Sequence, residues 1–187
     1  MADRERLHGS PTLAEVANSS FDNPDVYHRM HASGLGGGDC FANTQRLIHA
    51  AQNAGVDLSH VETVDMWYEP IEPHFLVVAN DMLRSEEDKQ PHGHTQWNEH
   101  AFLVERRVGQ NPRVYDLSNL RDNMGMDMKT YLERLLEWEL TYNYEARRQV
   151  QLVSVPASQF VDLKFPNRYE LGKEFRQETL GQVLDNY

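Results

Sequence analysis

The sequence predicts one α+β domain, an early helix followed mostly by antiparallel strands. Phe41, Thr44, Leu47, Ile48 and Ala51 recur at helical spacing and stop at Gly55, which suits a helix end. Alternating apolar segments then follow at Val61–Trp67, His100–Arg107, Arg113–Ser118 and Gln149–Val155. Gly109–Pro112 joins the second and third of these and is far too short for a crossover helix, so that pair runs antiparallel. At 187 residues the chain is long enough for one buried core.

In chain order, residues 1–20 read as a loosely held lead-in, with one or two helical turns over Thr12–Asn18. Asn23-Pro24 and Ser33–Gly38 are loop chemistry. Asp39 is a suitable N-cap for the helix that starts at Cys40. Residues 74–84 fit either period: Phe75, Val78, Ala79, Met82 and Leu83 lie at helical spacing, while HFLVVA alone reads as a buried strand, and the helix is the expectation. Ser85–Trp97 is polar, contains Pro91 and Gly93, and is expected to be a loop suited to act as a lid. Asp127 is placed to cap a helix from Met128 to about Leu140, with Tyr131, Leu132, Leu135, Leu136 and Trp138 facing inward. A last strand or short helix is expected near Phe160–Phe165.

The composition is that of a soluble globular chain, with 40% hydrophobic and 25% charged residues and a net charge of −11. Such acidity argues against a nucleic-acid partner. The two short basic pairs, Arg106-Arg107 and Arg147-Arg148, read as solvated element ends. No apolar run approaches the ~18 residues of a membrane span. MADRERLHGS has no apolar leader core, so a cytoplasmic protein is expected, or one delivered by a route that needs no signal peptide. No cofactor is expected, because Gly36-Gly37-Gly38 lacks the Lys-Ser/Thr of a phosphate loop. His92, His94 and His100, and His28 with His31, are close in sequence, but without a Cys pair or an HExxH pattern no metal site is expected.

The single cysteine, Cys40, excludes an intramolecular disulfide and fits a reducing compartment. A lone cysteine is usually a small buried hydrophobe. Here the glycines before it leave room for a substrate backbone. The helix start offers N–H groups and partial positive charge that favour a thiolate. Its own backbone N–H could serve as an oxyanion donor. A carboxylate at Asp39 would oppose the thiolate unless turned into the cap. His100 opens an apolar strand, and Asp116 lies sixteen positions on, at the end of the next. An imidazole between them could bond the thiol through one nitrogen and the carboxylate through the other. A tight turn at Gln110 and Asn111 would pair Glu105 with Asp116, so the triad requires a wider connection, roughly Glu105–Asn111.

The segments GGGDCFANTQRLIHAAQNAGVD, NEHAFLVERR and RVYDLS resemble the core of transglutaminase-like proteins, an arrangement shared with papain, protein-glutaminases and deamidase toxins. The resemblance covers residues 34–118. It implies a papain/transglutaminase-like core in which the helix carrying the cysteine packs on an antiparallel sheet. It implies Cys40 as nucleophile, His100 as general base and Asp116 as the residue that orients the base. The Cys-to-His interval is longer than in compact members, and an aromatic residue usual before the cysteine is replaced by Asp39. The second oxyanion donor is unassigned. Gly38, Gln96, Trp97 and Asn98 are candidates for it or for substrate contact, and Trp67 for lining a cleft.

The expected activity is cysteine-dependent acyl transfer on glutamine side chains of a protein or peptide, by way of a thioester. Water then gives deamidation, and a lysine amine gives crosslinking. A cysteine peptidase or amidase would use the same three residues, and a non-catalytic binding domain could use the same fold. Oligomeric state is not legible.

Overall fold

The structure, a computed structural model, describes residues 11–21, 39–69, 75–82, 93–97, 99–118, 125–161 and 174–187. Its elements run α1 (Leu13–Phe21), α2 (Asp39–Asn53), β1 (Val61–Tyr68), β2 (Leu76–Ala79), a 3-10 turn (Asn80–Met82), β3 (His94–Trp97), β4 (Glu99–Glu105), β5 (Arg113–Tyr115) and β6 (Met126–Asp127). They continue as α3 (Met128–Leu135), α4 (Glu137–Tyr142), α5 (Ala146–Gln149), β7 (Val150–Pro156), α6 (Ala157–Phe160), β8 (Arg176–Thr179) and α7 (Leu180–Asn186). The fold is α+β. One six-stranded sheet has the order β6-β5-β4-β1-β7-β8, with every pair antiparallel, and β2 and β3 form a separate two-stranded sheet.

Strand alternation divides the core into two layers. On one face of the large sheet, Val64, Met66 and Tyr68 of β1 and Phe102 and Val104 of β4 pack with Tyr131, Leu132 and Leu135 of α3 and Leu180, Val183 and Leu184 of α7. The other face carries Val61, Trp67, Ala101 and Leu103 and is covered by Leu13, Val16 and Ala17 of α1, Cys40, Leu47, Ile48 and Ala51 of α2, and Phe160 of α6. The Phe41 and Phe160 rings meet with centroids 4.4 Å apart. Within the lead-in, the apolar face of α1 is part of this layer; residues 1–10 lie outside the described residues.

Several elements differ from the sequence expectation. Residues 76–79 form a strand, not a helix, and pair antiparallel with 94–97. Leu76 and Val78 are buried in the first layer and Val77 is buried as well, so apolar side chains on both faces of the run find cover as a strand. The expected loop over 85–97 accordingly contains β3, while residues 83–92 lie outside the described residues. The helix after Asp127 is capped as anticipated, the Asp127 carboxylate accepting from the Thr130 N–H at 3.2 Å. It stops at Leu135, and a new helix starts at Glu137.

That break changes the helical phase. Trp138, expected to face inward, is 39% exposed, and Glu139 is 1% exposed in its place. Glu139 accepts from the Tyr68 hydroxyl at 2.5 Å and from the Val77 N–H at 3.0 Å. Asn143 donates to Tyr68 Oη at 2.8 Å and to Glu139 Oε2 at 3.2 Å. Burial, then the Glu139 carboxylate, raises the Tyr68 phenol well above its ordinary range, so it stays a donor. The chain ends on β8 and α7, which the sequence analysis did not anticipate although Thr179 and Gln182 form a capping box.

The basic pairs are held in ion pairs. Arg106 meets Glu62 at 2.6 Å and Arg107 meets Glu105 at 2.8 Å, while Arg147 meets Asp185 at 2.5 Å and Arg148 meets Glu145 at 3.5 Å.

Replacing the buried carboxylate tests how strongly α4 holds the small sheet. Glu139→Ala strands the Tyr68 hydroxyl and the Val77 N–H without their shared acceptor. Urea unfolding is expected to show a loss on the order of 3 kcal/mol, the cost of leaving buried donors unsatisfied.

Candidate active site

Cys40 sits in the first turn of α2, which begins one residue earlier than anticipated, at Asp39. Asp39 is thus inside the helix and not ahead of it, and its side chain lies outside the described residues. Two side chains in the next turn anchor this helix start. Thr44 Oγ1 donates to the Ala101 carbonyl of β4 at 3.0 Å. Asn43 Nδ2 donates to Ser118 Oγ, just beyond β5, at 3.1 Å. Both are buried. The Cys40 end of α2 is therefore tied directly to the two chain segments that carry His100 and Asp116.

His100 is the second residue of β4 and lies opposite Met66 of β1. Leu103 pairs with Tyr115, Val104 with Val114 and Glu105 with Arg113. The wide connection thus occurs, over 106–112, and Asp116 does not face Glu105. One step beyond the last pair, Asp116 comes opposite Phe102, on the same face as His100. His100 Nε2 meets Asp116 Oδ2 at 2.7 Å. His100 is 0% and Asp116 2% exposed, so the pair is screened from water.

Cys40 reaches this pair from the other layer. Its side chain packs among the residues under α1 and α2, whereas His100 lies with Phe102 and Tyr131 on the opposite face. They meet where β4 begins: Cys40 Sγ lies 4.0 Å from the Glu99 carbonyl. The Cys40 side chain also lies near enough to the imidazole to favour its charged form. The three sequence-predicted residues are thus brought near one another, with Cys40 itself 7% exposed.

Hydrogen counting assigns the imidazole tautomer. The Tyr131 hydroxyl donates its one proton to Asp116 Oδ2 at 2.6 Å and lies 3.1 Å from His100 Nε2. The Ser118 N–H donates to Oδ1 of the same carboxylate at 2.9 Å. A carboxylate receiving these donors is ionised, so the proton between His100 and Asp116 belongs to Nε2. Nδ1 is then the ring nitrogen not engaged by Asp116.

The charges agree with this assignment. Burial opposes charge on His100, but the Asp116 carboxylate and then the Cys40 side chain outweigh it and push the imidazole up to about 10 from an ordinary 6.5. Burial likewise opposes the charge on Asp116, yet His100, then Tyr131 and the Ser118 N–H, hold it below its ordinary value.

The other candidates divide. The Trp97 ring packs against the imidazole with centroids 4.6 Å apart and shields it from one side. Trp67 is buried in the layer that holds Cys40. Gln96 is exposed and, one step along β3 from Trp97, belongs to the opposite face of the small sheet, away from the imidazole. Gly38 and Asn98 lie outside the described residues, as do His28, His31 and His92. Among the described residues no group of three His, Cys, Asp or Glu side chains is placed to hold a metal ion. No helix among them is long and apolar enough to cross a membrane.

Tyr131 was read from the sequence only as an inward helix position. The available signal was chemical: a phenol directed into a core requires a hydrogen-bond partner there.

No family model matches the chain, and no curated protein matches it.

The two shifts define a pH window. His100 binds its proton more tightly in the folded chain, so its share of the stabilisation is complete below about 6.5 and is lost as pH rises towards about 10. Asp116 keeps its charge further into acid, so its share is complete above 3.8 and is lost on acidification. The stability difference between wild type and Asp116→Asn is expected to be larger at about pH 5.5 than at about pH 9.5, as read from urea titrations at both.

Proposed function

We propose that this protein is a cysteine-dependent acyl-transfer enzyme with a papain/transglutaminase-like core, acting on glutamine side chains of a protein substrate. The observation that carries the reading is one buried imidazole joined to a buried carboxylate by Nε2 at 2.7 Å, with the only thiol of the chain close enough to favour its charge. A core histidine with a purely structural role needs no thiol at the start of a helix beside it.

The chemistry follows from that geometry. The proton shared by Cys40 and His100 Nδ1 rests on the imidazole, giving a thiolate beside an imidazolium whose charge Asp116 balances. The sulfur attacks the carboxamide carbon, and the developing oxyanion is met by N–H groups at the start of α2, that of Cys40 among them. The C–N bond breaks as the imidazolium returns its proton to the leaving nitrogen, so ammonia departs and a Cys40 thioester remains. Water, deprotonated by the same imidazole, attacks the thioester; glutamate is released and the thiol is restored. A lysine amine attacking in place of water would instead leave an isopeptide crosslink.

Deamidation is taken as the outcome because water needs no acceptor site, whereas a lysine amine must be bound beside the thioester. A peptide bond presented to the same sulfur would be cleaved by the same steps, so the product identifies the substrate.

The deciding experiment incubates candidate proteins with wild type and with Cys40→Ala and reads intact and peptide masses. The expected result is a gain of about one dalton at a glutamine, dependent on Cys40, with His100→Ala lowering the rate on the order of 10²–10⁴-fold. Cleavage products would replace the glutamine reading with a peptidase. The absence of any Cys40-dependent change, together with Cys40 alkylation that ignores His100→Ala, would remove the enzyme reading.

A further inference from the structure

Resting on that reading of the triad, we propose that Tyr131 is its positioning residue: the phenol pins Asp116 Oδ2 against His100 Nε2 and so keeps the imidazole directed at Cys40. Tyr131 comes from α3, outside the stretch that holds the three triad residues, and the reaction steps do not require it.

The argument starts from the atoms around one oxygen. Asp116 Oδ2 receives the Tyr131 hydroxyl at 2.6 Å and His100 Nε2 at 2.7 Å, while the two donors are themselves 3.1 Å apart. The Nε2 proton therefore has two acceptors in reach, the carboxylate and the phenol oxygen. The phenol proton has only the carboxylate, because Nε2 already carries a proton. Tyr131 thus closes a three-membered ring of contacts and leaves the imidazole one orientation that satisfies it.

Two further features support this. The Tyr131 side chain is fully buried, and its ring packs on Phe102 with centroids 5.1 Å apart, so α3 holds the hydroxyl in place and leaves it little freedom. Asp116 Oδ1 is occupied separately by the Ser118 N–H at 2.9 Å. Without Tyr131 the carboxylate keeps that anchor but can pivot about it, carrying Oδ2 away from Nε2. Among the described residues, the titratable groups facing Asp116 are His100 from β4 and Tyr131 from α3, with Cys40 of α2 beyond the imidazole. Tyr131 is one of the donors that keep Asp116 charged, so its removal lets the carboxylate protonate at higher pH.

The test needs no substrate. The rate of iodoacetamide alkylation at Cys40 is measured against pH in wild type, Tyr131→Phe, His100→Ala, Asp116→Asn and the double variant Tyr131→Phe/Asp116→Asn. Tyr131→Phe is expected to slow alkylation at neutral pH on the order of ten-fold, the scale of a lost hydrogen bond to a charged group. It is also expected to move the acid-side fall to higher pH. In the Asp116→Asn background the same change should add nothing, because Tyr131 acts through Asp116. A Tyr131→Phe profile superimposing on wild type, while His100→Ala departs from it, would overturn the role of Tyr131 and leave the triad standing. A His100→Ala profile superimposing on wild type would instead remove the reading beneath it. Full additivity in the double variant would also overturn the proposal. Imidazole 15N spectra of wild-type protein give an independent outcome should Tyr131→Phe not fold: Nε2 protonated at neutral pH is expected, and Nε2 unprotonated overturns it.

Discussion

A proton held between His100 and Asp116, away from water, constrains much of the molecule. Sealing such a pair costs several kcal/mol per ion unless each group keeps its hydrogen bonds. The surroundings answer much of this cost: Tyr131 and the Ser118 N–H bond the carboxylate, the Cys40 side chain lies near the imidazole, and the Trp97 and Phe102 rings pack against it. Those groups come from α2, β3, β4, the segment after β5, and α3. The antiparallel register of the large sheet fixes two of them, the small sheet a third, and the helices the rest.

The division of the core into two layers keeps Cys40 and His100 in separate packing environments. Cys40 belongs to the layer under α1 and α2, and His100 to the layer under α3. They meet only at the start of β4. Thr44 and Asn43 set that meeting point, one bonding the Ala101 carbonyl and the other the Ser118 hydroxyl. A helix that slid along the sheet would break both bonds at once, so the position of the thiol is tied to the strands.

Much of this was legible in the residues. The apolar period of α2, the alternation of β1, β4 and β7, and the Asp127 cap all acted locally, and each appears in the structure within a residue or two. His100 and Asp116 were legible as a pair because a short connection leaves few registers. The failures share another cause. LVVA at 76–79 has no intrinsic period that separates a strand from a helix, and only its partner at 94–97 decides. Trp138 and Glu139 exchange places because the chain breaks helix at Leu136, and tertiary bonds to Tyr68 and Val77 then favour the carboxylate inside. Tyr131 looked like filling because helical periodicity reports the face of a side chain and not the proton at its tip.

The two-stranded sheet has a standing of its own. Among the described residues its backbone ladder does not continue into the six-stranded sheet, and apolar packing and the bond from the Val77 N–H to Glu139 help hold it in place. Its strands could therefore be joined by a longer or shorter connection between Met82 and Gly93 without disturbing the register of any large-sheet strand, and chain closure penalises added length only logarithmically. Yet Trp97 at its far end lies on the imidazole. A change in the length or sequence of this appendage can thus reshape the wall beside the imidazole while the His100–Asp116 pair keeps its place in the large sheet.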